Sequence, residues 1–196
     1  MSEKPFAPSC ERNRDVILEQ LRSVFAARSK VLEIGSGTGQ HAVHFAAALP
    51  HLSWQCTDRP DMLAGLRMWL DDAALPNTPP PLSLDVAGDW PAVSADALFT
   101  ANTLHIMAWS EVVRLFAMLP TVLAPSATLA IYGPFNYDGR FTSDSNEAFD
   151  RSLREGAPHR GIRDFEAVRA LAEGAGFALE KDCAMPANNR LLVFAR

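Results

Sequence analysis

Val31-Leu32-Glu33-Ile34-Gly35-Ser36-Gly37-Thr38-Gly39 is the stretch whose reading decides the fold. An apolar run with one carboxylate leads into three alternating glycines, and Gln40–Leu49 behind them has helical composition. A strand that ends in such a turn and opens a helix begins a βαβ unit, and Leu52–Thr57 supplies its second strand. Glycine takes positive φ freely and lets backbone approach a ligand with no Cβ in the way. The dinucleotide pattern Gly-x-Gly-x-x-Gly fails here, because its last position is Gln40.

Working outward, Cys10–Ala26 has the 3.6-residue apolar period of an amphipathic helix and precedes a strand at Lys30–Ile34. Beyond the βαβ unit the pattern predicts a helix at Met62–Ala74 and strands at Leu82–Leu84 and Ala95–Ala101. A helix at Ser110–Leu119 and a strand at Ala127–Tyr132 follow. The Pro-rich segment Pro76–Pro81 reads as the loop into the third strand, and Gly133–Thr142 as a second loop. Glu147–Leu153 and Asp164–Ala175 look helical, with Gly176 as a C-cap. Phe177–Met185 and Arg190–Ala195 are strands split by the turn Pro186-Ala187-Asn188-Asn189, which implies a terminal antiparallel hairpin. Strands alternating with helices predict an α/β fold, a doubly wound, largely parallel sheet covered on both faces.

A length of 196 residues with 48% apolar content suits a single domain, 1–196, with 1–28 as an N-terminal helical region. No apolar run is long enough to span a bilayer, and Met-Ser-Glu-Lys-Pro has no signal-peptide core, so the expectation is a cytoplasmic protein without a membrane partner. Cys10, Cys56 and Cys183 show no paired spacing, which suggests neither a disulfide framework nor zinc; no Asp/Glu/His cluster has metal-ligand spacing, and no metal is expected. A net charge of −5 argues against a nucleic-acid partner and for a small molecule. The sequence is silent on oligomeric state.

Three carboxylates fall at strand ends, where open α/β sheets bind ligands. Glu33, two residues before Gly35, suits the ammonium of a methionine moiety, a group that NAD lacks. Asp58, nineteen residues past Gly39, suits two ribose hydroxyls. Asp85 suits an adenine amine, with Val86 against the ring. A structural β-turn-α explains many lone glycine turns, but these residues together point to S-adenosyl-L-methionine (SAM), with S-adenosyl-L-homocysteine as product.

At these positions the chain resembles the class I SAM-dependent methyltransferases over nearly its whole length, which implies a Rossmann-like seven-stranded sheet with an antiparallel strand in its last pair. More narrowly, it resembles the domain-of-unknown-function family nine hundred and thirty-eight, the group of the human methyltransferase-like protein twenty-six. The motifs that carry this are Ser9-x-x-Arg12-Asn13, Glu33-Ile34-Gly35-Ser36-Gly37-Thr38-Gly39-Gln40-His41, Asn102-x-x-His105-Ile106, Tyr132-Gly133-Pro134-Phe135, Ser145-Asn146-x-x-Phe149-Asp150 and Met185-Pro186-Ala187-Asn188-Asn189. Asn102-Thr103-Leu104-His105 stands where Asn-Met-Ile-His is expected, and Asp58-Arg59 where Ser-Asp is commoner.

The resemblance implies cofactor contacts from Arg12, Asn13, Glu33, Gly35, Ser36, Gly37, Gly39, Asp58, Asp85, Val86 and Asn102, with the N-terminal helix as a lid. Arg12 has the alternative of a solvated surface charge. His105, after the fourth strand, is the candidate base if the acceptor must lose a proton; the alternative is a packed histidine bonded to backbone. Tyr132, Phe135, Asn136, Asn146, Asn188 and Asn189 are candidates for substrate binding, beside Phe149 and Asp150; core packing for Tyr132 and ordinary turn chemistry for the asparagines are the competing readings. The fourth strand is not followed by an Asn/Asp-Pro-Pro-aromatic tetrapeptide, which disfavours a nucleobase amine.

These features predict an enzyme that methylates an O, S or N atom of a small-molecule acceptor. The alternatives are a protein or RNA methyltransferase that needs a partner, and a SAM-binding scaffold without turnover.

Overall fold

Along the central strands both side-chain parities are apolar, so both faces of the sheet must be covered. The computed structural model describes residues 4–196, and the reading of Met1, Ser2 and Glu3 lies outside them. The described residues form α1 (Pro8–Val24), β1 (Lys30–Ile34), α2 (Gln40–Ala48), β2 (Ser53–Asp58), α3 (Leu63–Ala73), β3 (Leu82–Ser83) and β4 (Ala95–Ala101). The chain continues as α4 (Trp109–Val122), β5 (Leu123–Gly133), β6 (Phe135–Asn136), α5 (Asp144–Gly156), β7 (Arg163–Asp164), α6 (Phe165–Gly174), β8 (Ala178–Met185) and β9 (Asn189–Ala195).

Among the described residues seven strands form one sheet in the order β3-β2-β1-β4-β5-β9-β8. The first five are parallel, and β9 runs antiparallel to both of its neighbours. The α/β architecture and the terminal hairpin are those expected from the sequence. Val31, Ala97, Phe99, Ala130, Tyr132, Leu191 and Val193 face one core with α1, α2 and α3. Leu32, Leu98, Leu129, Ile131, Leu192 and Phe194 face the other, with α4 and α6. The strand order reverses between β1 and β4, which opens a crevice at their carboxyl ends. No described helix is long and apolar enough to cross a membrane.

Several boundaries differ from expectation. The fourth helix passes through Pro120 to Val122 rather than stopping at Leu119. Proline withholds one amide from the helix, but its fixed φ is helical, and only two residues of helix remain beyond it. β5 begins at Leu123 and shifts register against β4 between Ala95 and Ala97, an irregularity that accommodates Pro125. β6 and β7 pair in a separate two-stranded sheet, the first inside what reads as loop and the second overlapping the expected start of a helix at Asp164, since two-residue strands carry no period-2 signal.

Gly176 acts as expected. It takes φ +87°, its amide donates to the Glu173 carbonyl and that of Phe177 to Ala172, the bond pair of a Schellman motif. The β8–β9 turn puts Ala187 and Asn188 at φ +57° and +56°, the signs a type I′ turn demands. Asn tolerates that region, whereas Ala187 holds its Cβ there at a cost of about 1–2 kcal/mol. Glycine relieves this but has more unfolded-chain entropy to lose. Ala187→Gly is therefore expected to stabilise the protein by about 0.5–1 kcal/mol in denaturant unfolding; a destabilised variant would contradict the turn assignment.

Candidate functional site

The glycine turn is fixed from below by the end of β2. Gly35 and Ser36 both donate backbone hydrogen bonds to the Thr57 carbonyl, at 3.1 and 3.0 Å. The Gly37 amide donates to Asp58 Oδ2 at 2.6 Å. All three glycines have positive φ, yet their surroundings differ. A Cβ on Gly35 would meet Thr103 at 2.8 Å, and one on Gly39 would meet Leu66 at 2.8 Å, so these two are demanded by packing. A Cβ on Gly37 would project into open space with nothing within 4 Å.

Glu33 lies under this turn, 2% exposed, on the face shared with α1 and α2. Its Oε2 accepts from the Ser36 hydroxyl at 2.9 Å and the Trp54 indole at 3.0 Å. Burial raises its pKa to about 7 despite these donors, with the nearby Asp58 charge adding to the rise. Trp54 as a partner is invisible in the sequence, because the contact spans two strands. Asp58 is buried at the tip of β2; besides Gly37 its carboxylate accepts from the Arg59 amide at 2.8 Å. A carboxylate offers about four acceptor positions, which leaves capacity for hydroxyls. Burial raises the Asp58 pKa, and the two backbone bonds oppose that. Asp85 is exposed and caps a turn by accepting from the Ala87 amide at 2.9 Å, and Val86 is buried beside it.

α1 is tied down by the two residues that follow the glycines, and sequence reasoning gave neither a role. Gln40 Oε1 accepts from the Ala7 amide at 2.6 Å, while its Nε2 donates to Glu11 at 2.8 Å. His41 Nε2 meets Asn13 Oδ1 at 2.7 Å, both residues buried. Tyr132, 4% exposed, has the side-chain amides of Asn13 and Asn189 beside its hydroxyl. Asn189, Tyr132, Asn13 and His41 thus form one polar row from the terminal hairpin across β5 and α1 to α2. Their appearance in the quoted motifs was the only available signal. Ser36 and Asn13 are inside this framework, whereas Arg12 is exposed on α1.

The acceptor end lies past β4 and β5. Asn102 takes φ +57° and donates its amide to the Tyr132 carbonyl at 2.9 Å. Gly133 leaves room for both Asn102 Oδ1 and His105 Nδ1, each 3.9 Å from where a Cβ would stand. His105 is 6% exposed, with its ring edge-on to Phe149 at 5.3 Å. Burial, and then the charges of Arg163 and Arg160, lower its pKa to about 4, so the imidazole is neutral at neutral pH.

One face of α5 organises this end. Asn146 Nδ2 donates to Thr142 and to the Asn188 carbonyl, joining the helix to the terminal turn. Asp150 accepts from the Ile162 amide at 2.7 Å and pairs with Arg154. Its neighbour in that loop, Gly161, donates to the His105 carbonyl at 3.0 Å. Asn188 itself is exposed in the turn. Phe135 points away from this end and packs at 2% exposure with Leu104 and Val112. A cleft of about 380 Å³ opens beside the hairpin, lined by Tyr137, Thr142, Met185, Asn188 and Asn189 among others.

Two expected outcomes separate these roles. Gly37→Ala adds a methyl that meets no protein atom, so it costs only the positive-φ penalty of about 1–2 kcal/mol, whereas Gly35→Ala must displace Thr103 and destabilises more. Thermal unfolding of both variants checks the order. Glu33 binds its proton more tightly folded than unfolded, so its ionisation erodes stability as pH rises from 4.5 to about 7. Glu33→Gln removes that loss: its advantage over wild type is near zero below pH 4.5, grows through about 7 and is flat above, reaching on the order of 3 kcal/mol. A pH-independent difference would contradict the buried carboxylate's role.

Comparison with solved structures places this fold among methyltransferases. An O-methyltransferase family protein from Burkholderia thailandensis superposes with a TM-score of 0.85 at 18% identity, over 96% of this chain and 56% of that one. The S-adenosylmethionine-dependent methyltransferase SibL matches with a TM-score of 0.80 at 23% identity, over 96% and 55%. The mitomycin 7-O-methyltransferase MmcR matches at 0.79 and 22%, over 92% and 53%. The chain therefore spans little more than half the length of these structures and shares their fold. Its sequence matches the family model of a protein of unknown function, DUF938, across residues 4–196. The chain belongs to the DUF938 family, built on the α/β fold of class I methyltransferases.

Proposed function

We propose that this protein is a SAM-dependent methyltransferase acting on a small-molecule acceptor. The observation that carries the reading is the open space above Gly37, bounded below by the partly committed carboxylate of Asp58 at the tip of β2, one strand from the sheet's switch point. A ligand there meets a backbone that no side chain shields, next to an acceptor for ribose hydroxyls. The O-methyltransferase neighbours share this fold, which makes oxygen the first acceptor atom to test.

When bound, SAM supplies an electrophilic methyl group on a sulfonium. The protein's part is to position and to exclude water. Asp58 would hold the ribose and Asp85 and Val86 the adenine side, with Asn13 and Asn102 on the elements that flank them. Glu33 is the carboxylate nearest the amino-acid end, reached through the turn it supports. An acceptor held past β4 and β5 would lie beside Asn102 and His105, and a proton released there would be taken by the neutral imidazole of His105 and passed to solvent.

Calorimetry of SAM binding tests this. Wild type binds, and Asp58→Ala and Gly37→Val lose about tenfold or more in affinity. A folded wild type that binds no SAM would sink the enzyme reading and leave a methyltransferase-like scaffold. For a bound acceptor, His105→Ala lowers kcat and leaves SAM affinity unchanged.

A further inference from the structure

The loop between α5 and β7 wraps the turn that follows β4. The Gly161 amide donates to the His105 carbonyl at 3.0 Å, and the Arg163 guanidinium donates to the carbonyls of Leu104 and Met107. Asp150 fixes the loop from the side of α5, accepting from the Ile162 amide at 2.7 Å and pairing with Arg154. A Cβ on Gly161 would meet Arg154 at 2.6 Å, so glycine is what lets the chain pass this pair. Arg160, one residue earlier, is thereby held past the carboxyl end of β4, where open α/β sheets bind ligands, and its charge reaches the imidazole of His105.

Arg160 is half-buried, yet among the described residues its guanidinium makes no ion pair and no hydrogen bond. Its Nε is enclosed without a partner, which leaves Nη1 and Nη2 as the reachable end of the fork. The other arginines here are engaged, Arg154 by Asp150 and Arg163 by three carbonyls. Carbonyls satisfy donors without neutralising a charge, and the charges that reach His105 are those of Arg163 and Arg160, both cationic. Neither ring nitrogen of His105 has a partner among the described residues, and neither is enclosed. The exposed ring of Phe149 stands edge-on to that imidazole at 5.3 Å. A free cation, an open imidazole and an exposed aromatic ring therefore share one edge of a chain whose net charge is −5.

We infer that Arg160 is the specificity-determining residue of the acceptor site, taking the carboxylate of an aromatic acid end-on through Nη1 and Nη2 while the acid's ring lies against Phe149. The inference rests on the methyltransferase reading and narrows its substrate class. A planar guanidinium fork matches the two oxygens of a carboxylate. A primary amide of the same outline presents one oxygen and turns an N–H toward the second donor, so the site discriminates the acid from its neutral analogue.

The test titrates benzoate and benzamide, alike in outline and different in charge, into protein saturated with S-adenosyl-L-homocysteine, followed by NMR at the amides of Phe149 and Gly161. Wild type binds benzoate about tenfold more tightly than benzamide, and Arg160→Gln binds the two within about twofold. Arg160→Lys, which keeps the charge and loses the fork, falls between them. Equal or absent binding of the probes to wild type, a preference that survives in Arg160→Gln, or shifts that bypass both amides overturn the inference. If the glutamine variant does not fold, an unchanged preference in Arg160→Lys overturns it and a narrowed one supports it. S-adenosyl-L-homocysteine binding is read in the same samples: wild type that fails to bind it overturns the methyltransferase reading beneath, whereas intact binding without benzoate preference overturns the Arg160 inference alone.

Discussion

The hydrogen bond from the Gly37 amide to Asp58 is the contact on which the rest of the site depends. It joins the turn after β1 to the tip of β2, and the Thr57 carbonyl, taking the amides of Gly35 and Ser36, completes the junction. Once the turn is held there, α2 starts in a fixed direction, and Gln40 and His41 emerge toward α1 and give it a place to dock. The same junction buries Glu33 beneath it. The result is a backbone cradle supported by buried acid groups whose charge the protein tolerates poorly when alone.

The division of labour among the glycines follows from geometry. Two are required because side chains press against them, and one is required because nothing does. A sequence motif records all three as the same letter. Only the surroundings reveal that a substitution at Gly35 or Gly39 attacks packing, while one at Gly37 projects into open space above the turn.

Much of the fold was legible, because a doubly wound sheet writes itself in alternation: apolar strands, glycine turn, amphipathic helices, and the Pro-Ala-Asn-Asn break before the last strand. The carboxylates Glu33, Asp58 and Asp85 were legible as residue types at or just past strand ends. What the sequence hid were contacts between distant positions. Trp54 reaching Glu33, Thr103 backing Gly35, and Tyr132 meeting Asn13 depend on strand register and helix docking, which no local pattern encodes. The paired β6 and β7 were too short to announce themselves, and Phe135, apolar beside a loop, gave no sign that it turns into the core rather than outward.

The polar row from Asn189 through Tyr132 and Asn13 to His41 links positions near the two extremes of the chain. During synthesis α1, the glycine turn and five parallel strands emerge first, with the row still lacking its last member. Until the terminal hairpin pairs with β5, Tyr132 has one amide neighbour instead of two and α1 is held from one side only. Anchoring of the amino-terminal helix is therefore tied to the arrival of the carboxyl-terminal strands, so a nascent or truncated chain carries the glycine turn without a fully fastened α1.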